Sequence, residues 1–511
     1  MPLDSASAVH LAYMQNLVAV DNIVDLHTGT NAWPNLSGLP GVFLLSIAFH
    51  LMGALSTWVP VRIAQSSIST PGGLMSQAGS EHEVLGDEYE HVPVPMSARR
   101  STFSVSMVWL GFPMIITGAM TGSIMVAGMG FQSALIAMLI GNALMFAYVG
   151  SLGLLGTARG VNFALIASAV FGKKGYILAS GLLSTLLLGW YAVQTGITGN
   201  LIHTAFQLDY LTMTVIAGAL YLGITFVGIR GLHWIGLVSV PMFVVLGGWV
   251  AFDSAGKAGW DKVLAYAGTN PTMPMAFGIG LTIVITLFVD AGTVTADFNR
   301  WAADKKSSLI ATFCAFPFAN LTAMLVGGVM TAALAVPSPQ PFGLDNMFGY
   351  LLAQNKPWLS VIAFAFLFCN LGSVCAHCLY NSAVGWSRIG NGRMRLYAVG
   401  LAVVGIMIAA ANVWALFIPW LSLLGILVPP IGAIILADLY YVRPGAEIRA
   451  DFRPPAFIAW AVGSLVAYLV ETFTPQFSTA ITAFIAGGLC YLLLSAISKP
   501  AIEPSLGAVK R

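Results

Sequence analysis

Residues 287–301 read LFVDAGTVTADFNRW and close an apolar run that begins near Phe277. Asp290 falls inside that run, where a carboxylate is costly and marks function by default. Three kinds of chemistry suit it. It can accept hydrogen bonds from an amino or ring N–H of a small ligand, or pair with a cationic one. It can take up and release a proton within the membrane. It can cap backbone N–H groups where the Asp290, Ala291, Gly292 sequence interrupts a helix, as an N-cap carboxylate does. The residue types alone leave all three open.

A second stretch, CNLGSVCAHCLYNS at 369–382, sets Cys375, His377 and Cys378 in another apolar run. A histidine facing the same cavity as a carboxylate makes a proton relay; the competing reading is a histidine hydrogen-bonded within packing. Cys375 and Cys378 form a CxxC with no second pair to complete a zinc site, so they read as small packing residues. Asp297 and Arg300, three apart, read as a structural pair or part of an inner gate. Asp438 belongs near the same face, and none of these three reads as a substrate ligand. The eight histidines are scattered, with no HxxxH, HExxH or DDxxD. That pattern argues against an enzyme, a resident metal or a cofactor.

Such side chains must be held by membrane helices. Of 511 residues, 58% are apolar and 8% charged, against about a quarter charged in soluble domains. Mean hydropathy is +0.84. The net charge of +2 gives no reason to expect nucleic acid. Apolar stretches of spanning length, about 20 residues, predict an all-α polytopic membrane protein with about twelve helices. They fall at 103–128, 131–156, 174–202, 210–229, 232–252, 274–298, 308–336, 357–384, 396–416, 417–440, 455–472 and 477–498. With residues 91–102 placed in the cytoplasm, eighteen Lys and Arg fall inside and three (Lys257, Lys262, Lys356) outside. The positive-inside rule then puts both ends of the core in the cytoplasm.

The chain divides into an extension at 1–92, a twelve-span core at 93–498 and a cytoplasmic tail at 499–511. The extension holds an apolar segment at 41–61 and an acidic one at 62–92. It reads as a thirteenth helix, as a leader, or as sequence ahead of a later start at Met75 or Met96, the last being favoured. Span one carries GFPMIITGAMTGSIMVAGMG and span six the Asp–Ala–Gly break. Paired interruptions five spans apart point to a transporter site and away from a channel with charged or carbonyl rings.

Further pieces carry a resemblance: VPVPMSARRS before span one, LIGN at 139–142, LLGWY at 187–191, AGTVTADFNRW at 291–301 and LVPPIGAIILADLYYVR at 427–443. In order and spacing the chain resembles the nucleobase–cation symporter family, in its cytosine and purine permease branch. The resemblance implies a five-plus-five inverted repeat of the leucine-transporter type with two extra helices, alternating access, and a bacterial inner membrane. It implies that Trp190 and Phe288 sandwich a heterocycle. Backbone at 118–122 and 288–292, including Gly118 and Gly292, would supply polar contacts.

The chain departs from that branch in places. Leu187 stands where an amide is expected one turn before the span-three Trp, and Cys375 and His377 stand where span eight would carry amides. The hydrogen-bonding edge is thus rebuilt, which argues against cytosine itself. A sodium site would use span-one carbonyls from Gly111 to Ile115 with Ser373, Val374 and Asn370. Valine offers no oxygen to a hard cation, so the coupling ion is either Na+ in a weakened site or H+ on Asp290. The expected protein is a symporter, working as a monomer in lipid, for a small nitrogen heterocycle. The alternative is a transporter of the same fold for a small amine held by Asp290.

Overall fold

The computed structural model describes residues 88–444 and 450–497. The apolar segment 41–61 and the tail 499–511 lie outside the described residues. Among the described residues the chain is helical throughout, with a lone β-bridge between Arg100 and Ala302. Among the described residues eight helices are long and apolar enough to cross a membrane, nine with the bent pair Thr102–Gly111 and Ile116–Met129. Three shorter apolar helices, Tyr210–Phe226, Phe277–Thr286 and Met394–Ala410, stand where the sequence places spans four, six and nine. Spans are numbered below in that order.

Burial sorts these helices. The most apolar stretch of span three, Tyr176–Phe206, is 78% buried, whereas spans eleven and twelve, Pro454–Phe473 and Thr479–Ile497, are 28% and 22% buried. Span three is therefore central, and the last two helices lie at the edge with apolar faces turned outward. Span three also packs along span eight, Pro357–Ile389. Span one packs on span seven through small residues. A Cβ on Gly122 would lie 1.9 Å from the Met324 carbonyl oxygen, and one on Gly327 1.8 Å from that of Ala119. Such close backbone approach drives helix association where lipid removes the hydrophobic incentive.

Polar groups fasten the end of the bundle where Lys and Arg gather. Asp438 is fully buried and accepts from Tyr491 at 2.6 Å, Arg453 at 2.9 Å and Arg443, tying spans eleven and twelve to span ten. Asp297 accepts from the Phe163 N–H at 2.8 Å. It thereby caps Phe163–Phe171, a short helix between spans two and three that the apolar count does not contain. This supports the structural reading of Asp297.

Candidate functional site

The interruptions of spans one and six meet at the centre of the bundle. Span one ends at Gly111, restarts at Ile116 and bends by 54°. Pro113 has no N–H to continue the helix, and Ile115 is extended. Asn370 of span eight fills the gap. Its Oδ1 accepts from the Ile116 N–H at 2.7 Å, and its Nδ2 donates to the Met114 carbonyl at 2.9 Å and to Ser239 Oγ at 3.0 Å. Ser373 donates to the Gly111 carbonyl at 2.6 Å. Gly111, Asn370 and Ser373, singled out for ion coupling, thus form one cluster around the break.

Span six breaks at Phe288, whose φ of −140° and ψ of 14° leave the helix before Val289–Thr293 resumes it. Asp290 sits in the first turn of that short helix and is 1% exposed. Its two oxygens differ. Oδ1 accepts from the Ala291 N–H at 2.8 Å, inside the first turn and not from the cap position, which is Phe288. Oδ2 is buried without a protein partner.

Asp290 lines a cavity of about 10 Å³. That is room for about one water, so the site is closed here and a ring enters only when the surrounding helices part. Trp190 and Phe288 line it, with Phe112, Ile115, Leu287, Ala291, Val374 and Cys378. The remaining lining residue is Gln194. Its Oε1 accepts from Thr117 Oγ1, while its Nε2 has no partner. The cavity thus presents one free acceptor and one free donor between aromatic walls.

Trp190, Phe288 and Asp290 are therefore together, as the sequence reading has them. Other named residues lie elsewhere. Gly118 is inside the helix Ile116–Met129 and packs on Ala323 of span seven. Gly292 packs on Val149 and Met145 of span two. Cys375 faces span three, 3.6 Å from Thr195 Oγ1, and Cys378 takes the lining position. His377 stands behind Phe112, with its ring nitrogens 2.7 Å from the Ser373 carbonyl oxygen and 2.9 Å from that of Val108. Leu187, where an amide was sought, is fully buried away from the cavity. The amide of this site is Gln194, one turn after Trp190 instead of one turn before. Its signal was a glutamine four residues from the Trp, a spacing that shares a helix face.

The profile of the family described as "Permease for cytosine/purines, uracil, thiamine, allantoin" matches residues 93–494. The chain is similar to the cytosine permease of Escherichia coli (strain K12), 28% identical over 80% of this chain and 95% of the relative. It is also similar to the hydantoin permease of Microbacterium maritypicum, 22% identical over 66% of this chain and 72% of that one. Among solved structures it shares the fold of Mhp1, a nucleobase-cation-symport-1 family transporter, in a closed conformation with bromovinylhydantoin bound. The TM-score is 0.67 at 17% identity, over 80% of this chain and 96% of that one. A multi-pass helical chain with its site at two broken helices, matched along most of its length, is a membrane transporter and not an enzyme: it belongs to the family of permeases for cytosine/purines, uracil, thiamine and allantoin.

Proposed function

We propose that the protein is a secondary-active symporter importing a small nitrogen heterocycle, a nucleobase or a related compound, by alternating access. The observation that carries this reading is the pair of unpartnered groups, Asp290 Oδ2 and Gln194 Nε2, in a cavity walled by Trp190 and Phe288. A flat ring with an N–H beside a carbonyl or ring nitrogen answers both. Cytosine, uracil and hydantoins share that edge, and the cytosine and hydantoin permeases named above support it. Stacking on Trp190 contributes about 1–3 kcal/mol by analogy with base–aromatic contacts.

The coupling ion is H+ or Na+. Sodium would draw on the Gly111 and Met114 carbonyls, Asn370 Oδ1 and Ser373 Oγ, with no oxygen from Val374. A proton would be carried by Asp290. The proposed membrane is the bacterial inner membrane, crossed twelve times with both ends of the core in the cytoplasm, and the working unit is the monomer.

A second reading is favoured by one observation: Asp290 faces the cavity and no cationic side chain lines it. A small amine would supply that charge. Thermal-shift screening of purified protein against pyrimidines, purines, hydantoins and amines separates the two. Stabilisation by heterocycles supports the proposal, and stabilisation by amines alone replaces it.

A further inference from the structure

Two carboxylates ahead of span one are buried in a chain that carries few charges: Glu88 is 4% exposed and Glu90 9%. Each holds one group of helices with its side chain and another with its backbone. Glu88 Oε2 accepts from the Tyr380 hydroxyl of span eight at 2.9 Å, and Oε1 from the Ile229 N–H at the start of span five at 3.3 Å. Gly228 makes room for this contact. Its φ is +78°, and a Cβ there would lie 1.9 Å from Oε1. The carbonyls of Glu88 and Tyr89 accept instead from Arg300, at the end of span six, at 2.8 and 2.7 Å. Glu90 repeats the arrangement. Its Oε1 accepts from the Met394 N–H at the start of span nine, and its carbonyl from Asn162 Nδ2 just after span two, both at 2.7 Å.

We infer that residues 88–94 are a strap that locks the cytoplasmic end, its glutamate side chains holding spans five, eight and nine and its backbone holding spans two and six. This rests on the alternating-access reading. The cavity lies between Phe288 and Asp290 of span six and Cys378 of span eight. Opening it to the cytoplasm parts those helices, and the Arg300, Glu88, Tyr380 linkage crosses the same gap. Release of substrate therefore requires release of the strap. Burial also raises the Glu88 carboxyl above its ordinary range, against the pull of Tyr380 and Arg300, so docking carries a cost that undocking returns.

The test uses the full chain in inside-out vesicles. A membrane-impermeant thiol reagent is applied, and labelling is read at Cys378 by peptide mass spectrometry. Glu88→Ala and Tyr380→Phe are compared with the unmodified protein, and cytosine and hydantoin binding are followed by thermal shift. The strap predicts labelling about tenfold faster in both variants, as expected for about one lost hydrogen bond to a charged group. An unchanged rate in variants that still fold overturns it. If Glu88→Ala does not fold, Glu88→Gln takes its place, because the Tyr380 hydroxyl also accepts from Arg300 Nη2 at 3.3 Å and Tyr380→Phe loses that contact too. Faster labelling without any heterocycle binding leaves the strap standing and removes the substrate reading. Binding with unchanged labelling removes the strap alone.

Discussion

The ring of Phe112 lies flat on the imidazole of His377, with centroids 5.0 Å apart and planes 12° from parallel. Phe112 in turn sets its ring edge-on to Phe288, 5.3 Å away. His377 thus shapes the cavity from behind and fastens span eight to span one at the Val108 carbonyl. His377→Gln keeps a hydrogen-bonding side chain and should leave heterocycle affinity within about threefold, less than the roughly 1 kcal/mol of one hydrogen bond. His377→Ala removes a buried ring, at about 2–5 kcal/mol for truncations of that size. It should lower both melting temperature and affinity. Calorimetric titration of the two variants checks this, and equal affinity in His377→Ala would show that Phe112 needs no support.

Trp190 and Gln194 lie one turn apart on span three and should fail differently. Trp190→Ala weakens every flat ligand by about 1–3 kcal/mol, whatever its polar edge. Gln194→Leu keeps the bulk and removes the free donor, so only ligands that offer an acceptor should lose affinity, by roughly tenfold. Affinities for a matched pair of rings with and without that acceptor distinguish the two effects.

The cavity's cysteine is Cys378, not Cys375. Saturating substrate should slow thiol labelling at Cys378, which lines the cavity, and leave Cys375 unreactive throughout, because its sulfur packs against Thr195 and the Tyr191 carbonyl. Protection at Cys375 would place the ligand on a different face of span eight.

Much of this was legible in the sequence for identifiable reasons. Long apolar runs locate membrane helices, because the hydrocarbon sets their length. Trp190, Phe288 and Asp290 stood out as two aromatic residues and a carboxylate in signature positions. Helix phase was harder to read. Cys375 and Cys378 differ by less than one turn, and only packing against span three decides which of them sees the cavity. Gly118 and Gly122 looked like an unwinding signal but serve close packing on Ala323 and Met324. The actual break centres on Pro113, and Asn370 satisfies the Ile116 N–H and the Met114 carbonyl that the break frees. Glu88 and Glu90 were read as part of an acidic extension, since nothing local shows that Arg300, more than 200 residues later, receives that segment.

The strap makes accessibility depend on pH. Docking raises the Glu88 pKa, so docking is favoured by the protonated form. Its contribution is fully present below the ordinary glutamate pKa of about 4.3 and is lost as pH rises through the docked value. Arg300, Arg395, Arg100 and Tyr380 face the same carboxyl; arginine and tyrosine ordinarily titrate well above neutral pH, and Glu90 is common to both proteins compared. Cytoplasmic labelling of Cys378 should therefore quicken with pH more in the unmodified protein than in Glu88→Gln. Their ratio cancels the titration of the thiol itself, and a flat ratio contradicts the linkage.

Sodium should matter little. Val374 lies one position past Ser373 and turns a hydrocarbon side chain to the cavity, so a hard cation lacks one oxygen ligand there. Exchanging sodium for potassium should change heterocycle affinity by less than about tenfold, whereas Val374→Thr restores an oxygen and should increase the dependence. Strong sodium dependence in the unmodified protein would show that the span-one carbonyls suffice.

The most direct test of the central claim is the thermal shift of purified protein and of Asp290→Asn against cytosine, uracil, hydantoin, purines and small amines. The free acceptor at Asp290 Oδ2 and the free donor at Gln194 predict that nitrogen heterocycles stabilise the unmodified protein and that Asp290→Asn loses the shift. Stabilisation by amines alone, or a heterocycle shift fully retained in Asp290→Asn, would contradict the assignment of Asp290 as the group that recognises the ring.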